Sequence, residues 1–229
     1  MRTLRSTVVF ALIITGALTS CRSPHQVNRW EPAIRQFEKA DSLAPPPAAA
    51  VVFLGSSSIR GWSTLATDFP FTPVINRGFG GSEMADLVLF YDRIVRPCQP
   101  RLLVVYAGDN DLVNGRTPVQ IAADFQRLVN KSRKPSRGLP VIVLSVKPSP
   151  ARWSVVDAVR ETNRLLADMA DQDEHIFFVD LFSAMLNPNQ RPRPELFRAD
   201  SLHLNQTGYQ LWAAQLTPVI RSALRLSAE

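Results

Sequence analysis

Cysteine and histidine are scarce in this chain, and long apolar runs and dense basic blocks are missing. The 229 residues include two cysteines, Cys21 and Cys98, and three histidines, His25, His175 and His203. No zinc-type spacing can be built from so few thiols and imidazoles, so no metal is expected. The longest apolar run, Thr7 to Leu18, falls short of the ~20 residues that span a bilayer. The positive charges are dispersed, which argues against nucleic acid as a partner. No Gly-Lys-Ser/Thr phosphate loop is present, so neither a nucleotide nor any other cofactor is expected.

The N-terminus does not belong to the fold. Arg2 and Arg5 precede the Thr7–Leu18 run, which ends in Leu18-Thr19-Ser20-Cys21. This is the pattern of a secretory signal over residues 1–20, and its last four residues resemble the lipobox of bacterial lipoproteins. The resemblance implies cleavage before Cys21 and acylation of that cysteine, with each buried methylene contributing ~0.8 kcal/mol of membrane affinity. An ordinary secretory signal with an incidental cysteine is the alternative. Removing residues 1–20 takes away two arginines and no acid, so the formal charge falls from +6 to +4. With Cys21 acylated, Cys98 has no disulfide partner, and the exported chain must be stable through its core. Arg22 follows the cysteine in place of an aspartate, which in a two-membrane bacterium favours the outer membrane.

Residues 21–50 read as a tether and a first helix, in which Trp30, Ile34 and Phe37 recur at helical spacing before Pro45-Pro46-Pro47 stops it. Residues 51–229 read as one domain. Five short apolar runs, Val51–Leu54, Val74–Asn76, Leu102–Tyr106, Val141–Leu144 and Ile176–Val179, have the continuous apolar character of strands buried on both faces. Helical patterns separate them. Met84, Leu87, Val88, Tyr91, Ile94 and Val95 share one face, and Thr117-Pro118-Val119-Gln120 is a capping box with proline at the first helical position. Val155, Val159, Leu165, Leu166 and Met169 mark another helix, and Asn205 could cap a last one that buries Trp212, Leu216, Val219 and Ile220. Strands alternating with helices predict a central parallel sheet of about five strands in a three-layer α/β/α sandwich.

Ligands of such sheets bind beyond the carboxyl ends of the strands. Gly55-Ser56-Ser57-Ser58, Gly78-Phe79-Gly80-Gly81-Ser82 and Gly108-Asp109-Asn110-Asp111 each follow a strand, and Asp200-Ser201-Leu202-His203 precedes the last helix. A serine becomes a nucleophile when a histidine takes its proton and an acid fixes that histidine's tautomer. Any one of these clusters could equally be a helix cap or a turn; their joint occurrence at strand ends favours a site.

The four clusters, in this order, resemble the blocks of the SGNH hydrolases, the GDSL-like esterase, lipase and acylhydrolase superfamily. The resemblance runs from Val51 to the C-terminal helix and implies a flavodoxin-like fold. It implies Ser57 as nucleophile, Asp200 and His203 as its acid and base, and an oxyanion hole from the N–H groups of Ser57 and Gly81 and the side chain of Asn110. Ser56 stands where the family usually has aspartate, but that aspartate is not the triad acid. Trp62 also recurs after this loop in family members. The expected partner is a small-molecule or carbohydrate ester, such as a carbohydrate O-acetyl group or a lysophospholipid. Lys147, Arg152 and Trp153, after the fourth strand, are the candidate substrate contacts. A non-catalytic carbohydrate- or peptidoglycan-binding lipoprotein, an acyltransferase and a flavodoxin-like cofactor binder are the competing readings.

Overall fold

The computed structural model describes residues 29–134 and 138–226. The expected signal segment and Cys21 lie outside the described residues.

Five parallel strands form one sheet: β1 (Val51–Gly55), β2 (Val74–Gly78), β3 (Leu102–Tyr106), β4 (Val141–Leu144) and β5 (Ile176–Val179). Their order is β2-β1-β3-β4-β5. The chain steps outward from β1 to β2, then returns to the other side of β1 to lay down β3. Neighbouring connections therefore diverge between β1 and β3, the point at which sheets of this kind open a crevice. Gly55 is level with Gly78 on one side and Tyr106 on the other, so the loops leaving all three strands start at one rim.

Side chains alternate across a strand, and here the alternation feeds two cores. Val52, Leu54, Leu103, Val105, Val141 and Val143 pack with helices α1 (Glu31–Leu43), α4 (Met84–Ile94), α6 (Pro118–Ser132) and α7 (Val156–Asp171). Val51, Phe53, Leu102, Val104, Tyr106, Ile142 and Leu144 pack on the opposite face with Trp62, Phe69 and α9 (Gln206–Leu226). The second core is strongly aromatic. Trp62 stacks on Tyr209 at 5.2 Å and meets Phe53, Phe69 and Trp212 edge-on. Truncating a fully buried member such as Trp212 would cost ~3–5 kcal/mol.

The capping box is present: Gln120 N–H donates to Thr117 Oγ1 at 3.3 Å, and Thr117 N–H to Gln120 Oε1 at 3.0 Å. Asn205 Oδ1 accepts from Gly208 N–H at the start of α9. The first helix, α1, packs onto the domain through buried Ile34 and through charge. Arg93 of α4 reaches both Glu31 and Glu38, and Arg77 of β2 reaches Asp41.

Four helices are not visible in the apolar periodicity: α2 (Ser57–Arg60), α3 (Leu65–Asp68), α5 (Asp109–Val113) and α8 (Leu181–Ala184). Each is little more than one turn, too short for a 3.6-residue repeat to register. Two of them carry the site.

Candidate active site

The first block sits where β1 turns into α2. Ser56 continues the extended backbone, its N–H donating to Tyr106 O at 3.1 Å, and Ser57 opens the helix. That position leaves the Ser57 N–H without an intrahelical acceptor. Burial separates the three serines: Ser56 and Ser58 are 0 % exposed, whereas Ser57 reaches solvent. The short helix is held from outside, by Asn76 Nδ2 on Ile59 O at 2.7 Å and by Tyr209 Oη on Ser58 O at 2.9 Å. Gly78 has to lack a side chain, because a Cβ there would lie 2.1 Å from Arg60 N.

The histidine arrives on a tight turn before α9. Arg198 N–H donates to His203 O and Ser201 N–H to Arg198 O, closing the turn with Ser201 at φ 56°. A non-glycine residue in that left-handed region carries strain. The strained turn folds Asp200 back on the histidine. Asp200 Oδ1 accepts from the N–H groups of Leu202 and His203, both at 2.9 Å, and Oδ2 lies 2.7 Å from His203 Nδ1. The N–H and ring of His203 and the N–H of Leu202 hold the Asp200 carboxyl well below the usual carboxylate range. His203 Nε2 in turn lies 3.1 Å from Ser57 Oγ. Ser57, His203 and Asp200 thus form one hydrogen-bonded relay.

The second and third blocks flank it. Gly81 has φ +77°, a conformation that favours glycine. Asn110, in the first turn of α5, donates from Nδ2 to Ser82 O at 3.0 Å and accepts at Oδ1 from Arg152 Nη2 at 2.9 Å. Its amide orientation is therefore fixed from both ends, and its second Nδ2 hydrogen is available to a ligand. Asp111 is buried and accepts from Met84 N–H at the start of α4. Burial pushes its carboxyl up to about 7 against that hydrogen bond, helped by the charges of Glu83 and Asp109.

Two of the three candidate substrate contacts, Lys147 and Arg152, turn inward from the rim. Lys147 lies inside the rim, 2 % exposed, with Nζ 2.7 Å from Asp109 Oδ2 and 3.1 Å from Tyr106 Oη. The reason is Asp109, whose buried carboxylate needs cations beside it; burial would raise this acid, but Lys147 and then Arg152 bring it below its ordinary value. Arg152 also turns inward, onto Asp109 at 3.2 Å and onto Asn110. Trp153 stays half-buried with the Arg191 guanidinium 4.6 Å from its ring centroid, so the segment around Arg191 packs against the loop after β4. Sequence reasoning did not anticipate Arg29 and Trp30 at this site. Arg29 Nη2 donates to Gly81 O at 3.1 Å and Trp30 Nε1 to Gly80 O at 3.0 Å.

The profile of the GDSL-like lipase/acylhydrolase family matches residues 41–211. The chain belongs to that family. It is an ester-hydrolysing enzyme accordingly. A GDSL-like lipase from Bacteroides thetaiotaomicron is similar in structure, with 23% identity, a TM-score of 0.71, and coverage of 83% of this chain and 98% of that one. The lipase/acylhydrolase from Enterococcus faecalis shares 20% identity at a TM-score of 0.62, over 76% of this chain and 95% of its own. A carbohydrate esterase family 3 protein from Talaromyces cellulolyticus shares 18% identity at 0.62, over 77% and 98%. At these identities the likeness concerns the fold. No match was found among curated proteins.

Proposed function

We propose that this GDSL-family enzyme is a serine esterase that hydrolyses short-chain acyl esters through an acyl-enzyme. Its preferred substrates are carbohydrate O-acetyl or lysophospholipid esters. The observation that carries the reading is the Ser57–His203–Asp200 relay, with 3.1 and 2.7 Å between its hydrogen-bonded atoms, and with Ser57 the one of three neighbouring serines that is not buried. His203 Nε2 takes the hydroxyl proton while Ser57 Oγ bonds to the ester carbonyl carbon. Asp200 stabilises the imidazolium that forms. The oxyanion is held by the N–H groups of Ser57 and Gly81 and by Asn110 Nδ2, each such donor typically worth ~10²–10³ in rate. The tetrahedral intermediate collapses as His203 protonates the leaving alcohol. Water, deprotonated by His203, then releases the acid from Ser57.

A short acyl group fits the surface. Among the described residues the exposed large apolar side chains are Leu43, Leu89, Val113, Val119 and Leu226, each on a different helix, so they build no common lid for insoluble fat. The carbohydrate esterase among the similar folds agrees with a sugar ester. We also infer attachment to the cell envelope through an acylated Cys21, from the Leu18-Thr19-Ser20-Cys21 pattern; loss of fatty-acid labelling in Cys21→Ser tests it.

Comparing the chain with Ser57→Ala on p-nitrophenyl acetate tests the mechanism. A triad nucleophile is typically worth ~10⁶ in turnover, so the variant is expected to be inactive and unlabelled by a fluorophosphonate. Equal activity in both proteins would refute the assignment.

A further inference from the structure

The peptide that joins Gly80 to Gly81 carries one of the oxyanion donors assigned above; Ser82 N–H donates to Phe79 O at 3.3 Å and closes its turn, yet a turn so closed can carry its central peptide either way up. Both neighbours are glycines, and Gly81 sits at φ +77°, where glycine is mobile between conformers of similar energy. A trans peptide is planar, with its N–H directed opposite to its C=O. Whatever grips Gly80 O therefore also aims the Gly81 N–H. The grip is Trp30 Nε1, at 3.0 Å.

Trp30 is well placed to do this rigidly. Its ring is 5 % exposed and packs edge-on against Phe79, one residue before the glycine pair, at 6.2 Å between centroids. Its carbonyl accepts from Ile34 N–H at the start of α1, so the indole moves only with that helix. The helix is bolted down by Arg93 on Glu31 and Glu38 and by Arg77 on Asp41. Arg29, 4.1 Å over the Trp30 ring, donates to Gly81 O and holds the far side of the same turn. Among the described residues the Gly81 N–H has no protein acceptor, so it remains available to a developing oxyanion.

We infer that Trp30 is a positioning residue of the esterase, its indole N–H holding the Gly80–Gly81 peptide so that the Gly81 N–H is aimed into the oxyanion hole. This rests on the serine-esterase reading. Such a donor acts mainly when charge builds on the carbonyl oxygen, so its misalignment should appear in kcat and leave KM nearly alone.

The test uses the full chain carrying Trp30→Phe, which keeps an aromatic ring near Phe79 and removes the donor. Ile220→Ala serves as the control, since Ile220 is fully buried toward the far end of α9, where Leu224 O accepts from Arg101 just before β3, away from the glycine turn. With p-nitrophenyl acetate, Trp30→Phe is expected to lower kcat about tenfold with KM within about twofold. Phosphonylation of Ser57 by a fluorophosphonate, in which the Oγ–P bond forms as fluoride leaves and His203 takes the proton, should slow by the same factor. Ile220→Ala should melt earlier and keep its kcat. If Trp30→Phe does not fold, incorporation of a benzothienyl analogue at position 30, with sulfur in place of N–H, makes the same comparison. Unchanged kcat without the donor would overturn the inference, as would an equal kcat loss in Ile220→Ala. Activity surviving in Ser57→Ala would instead overturn the esterase reading beneath it.

Discussion

Replacing Lys147 by methionine isolates the buried charge network behind Asn110, the proposed oxyanion donor. Lys147 Nζ lies 2.7 Å from Asp109 Oδ2 and 3.1 Å from Tyr106 Oη, and the lysine is 2 % exposed. Methionine fills most of the stem's volume but leaves the Asp109 carboxylate with one cation, Arg152 at 3.2 Å. Removing one partner of a buried pair typically costs ~3–5 kcal/mol. The remaining arginine keeps the expected cost near the low end, about 3 kcal/mol. For a domain of this size that corresponds to a melting point lower by roughly 6–12 °C. The pH dependence gives a second check. In the parent, Asp109 is held below its ordinary value by Lys147 and Arg152 despite its burial, so the pair's contribution is lost only as pH falls through that depressed value. In the variant, burial raises the Asp109 carboxyl, and the folded state then loses stability as pH rises above about 4. The stability gap, measured by urea unfolding, should widen from about pH 5 to pH 8. Adding Asp109→Asn should recover most of the loss, because the uncompensated charge is gone. A cost below about 1 kcal/mol, or a double variant no more stable than the single, would refute the reasoning.

Asn110→Ala removes a donor whose amide is fixed by Ser82 O and Arg152; kcat for p-nitrophenyl acetate should fall ~10²–10³-fold with little change in KM. Asp111 carries a carboxyl raised to about 7 by burial, so the native state holds a proton that the unfolded chain releases near pH 4. Stability should therefore decline between about pH 5 and pH 7, by on the order of 2 kcal/mol. Asp111→Asn should flatten that decline in urea titrations, and an unchanged slope would exclude Asp111 as its source.

The fold was largely legible because its strands are buried on both faces, which makes each a short apolar block that stands out between helices. All five were visible as Val51–Leu54, Val74–Asn76, Leu102–Tyr106, Val141–Leu144 and Ile176–Val179, with β1 extending to Gly55 and β2 to Gly78. The relay was legible for a different reason, since Asp200 and His203 sit three residues apart and need only a turn to meet. What sequence spacing cannot carry is the direction of a long side chain. Their place after a strand predicts Lys147 and Arg152 at the rim. Their heads turn inward to a carboxylate, Asp109, whose burial no local pattern announces. Helical spacing predicts Trp30 on the apolar face of a helix, and its ring does pack on Phe79. Its indole N–H reaches Gly80 across 50 residues of sequence, a contact that only the packing of α1 against α4 and β2 creates.

The proposed relay rests on the aromatic core, and this makes Ser57 depend on a helix that cannot hold itself. Helix α2 has four residues, so its carbonyls depend largely on partners from outside the helix. Tyr209 supplies one, donating to Ser58 O at 2.9 Å from a ring stacked on Trp62. Tyr209→Phe keeps the stack and strips a buried carbonyl of this donor, which should cost ~1–3 kcal/mol. The loss should also reach chemistry, because Ser57 is the residue before that carbonyl and its Oγ must stay within hydrogen-bond reach of His203 Nε2. A fall of about tenfold in the rate of fluorophosphonate labelling is expected, alongside the drop in urea midpoint. Labelling at the parental rate despite a lowered midpoint would mean that the turn holding His203 follows Ser57, and that the relay is set by those two elements without the tyrosine.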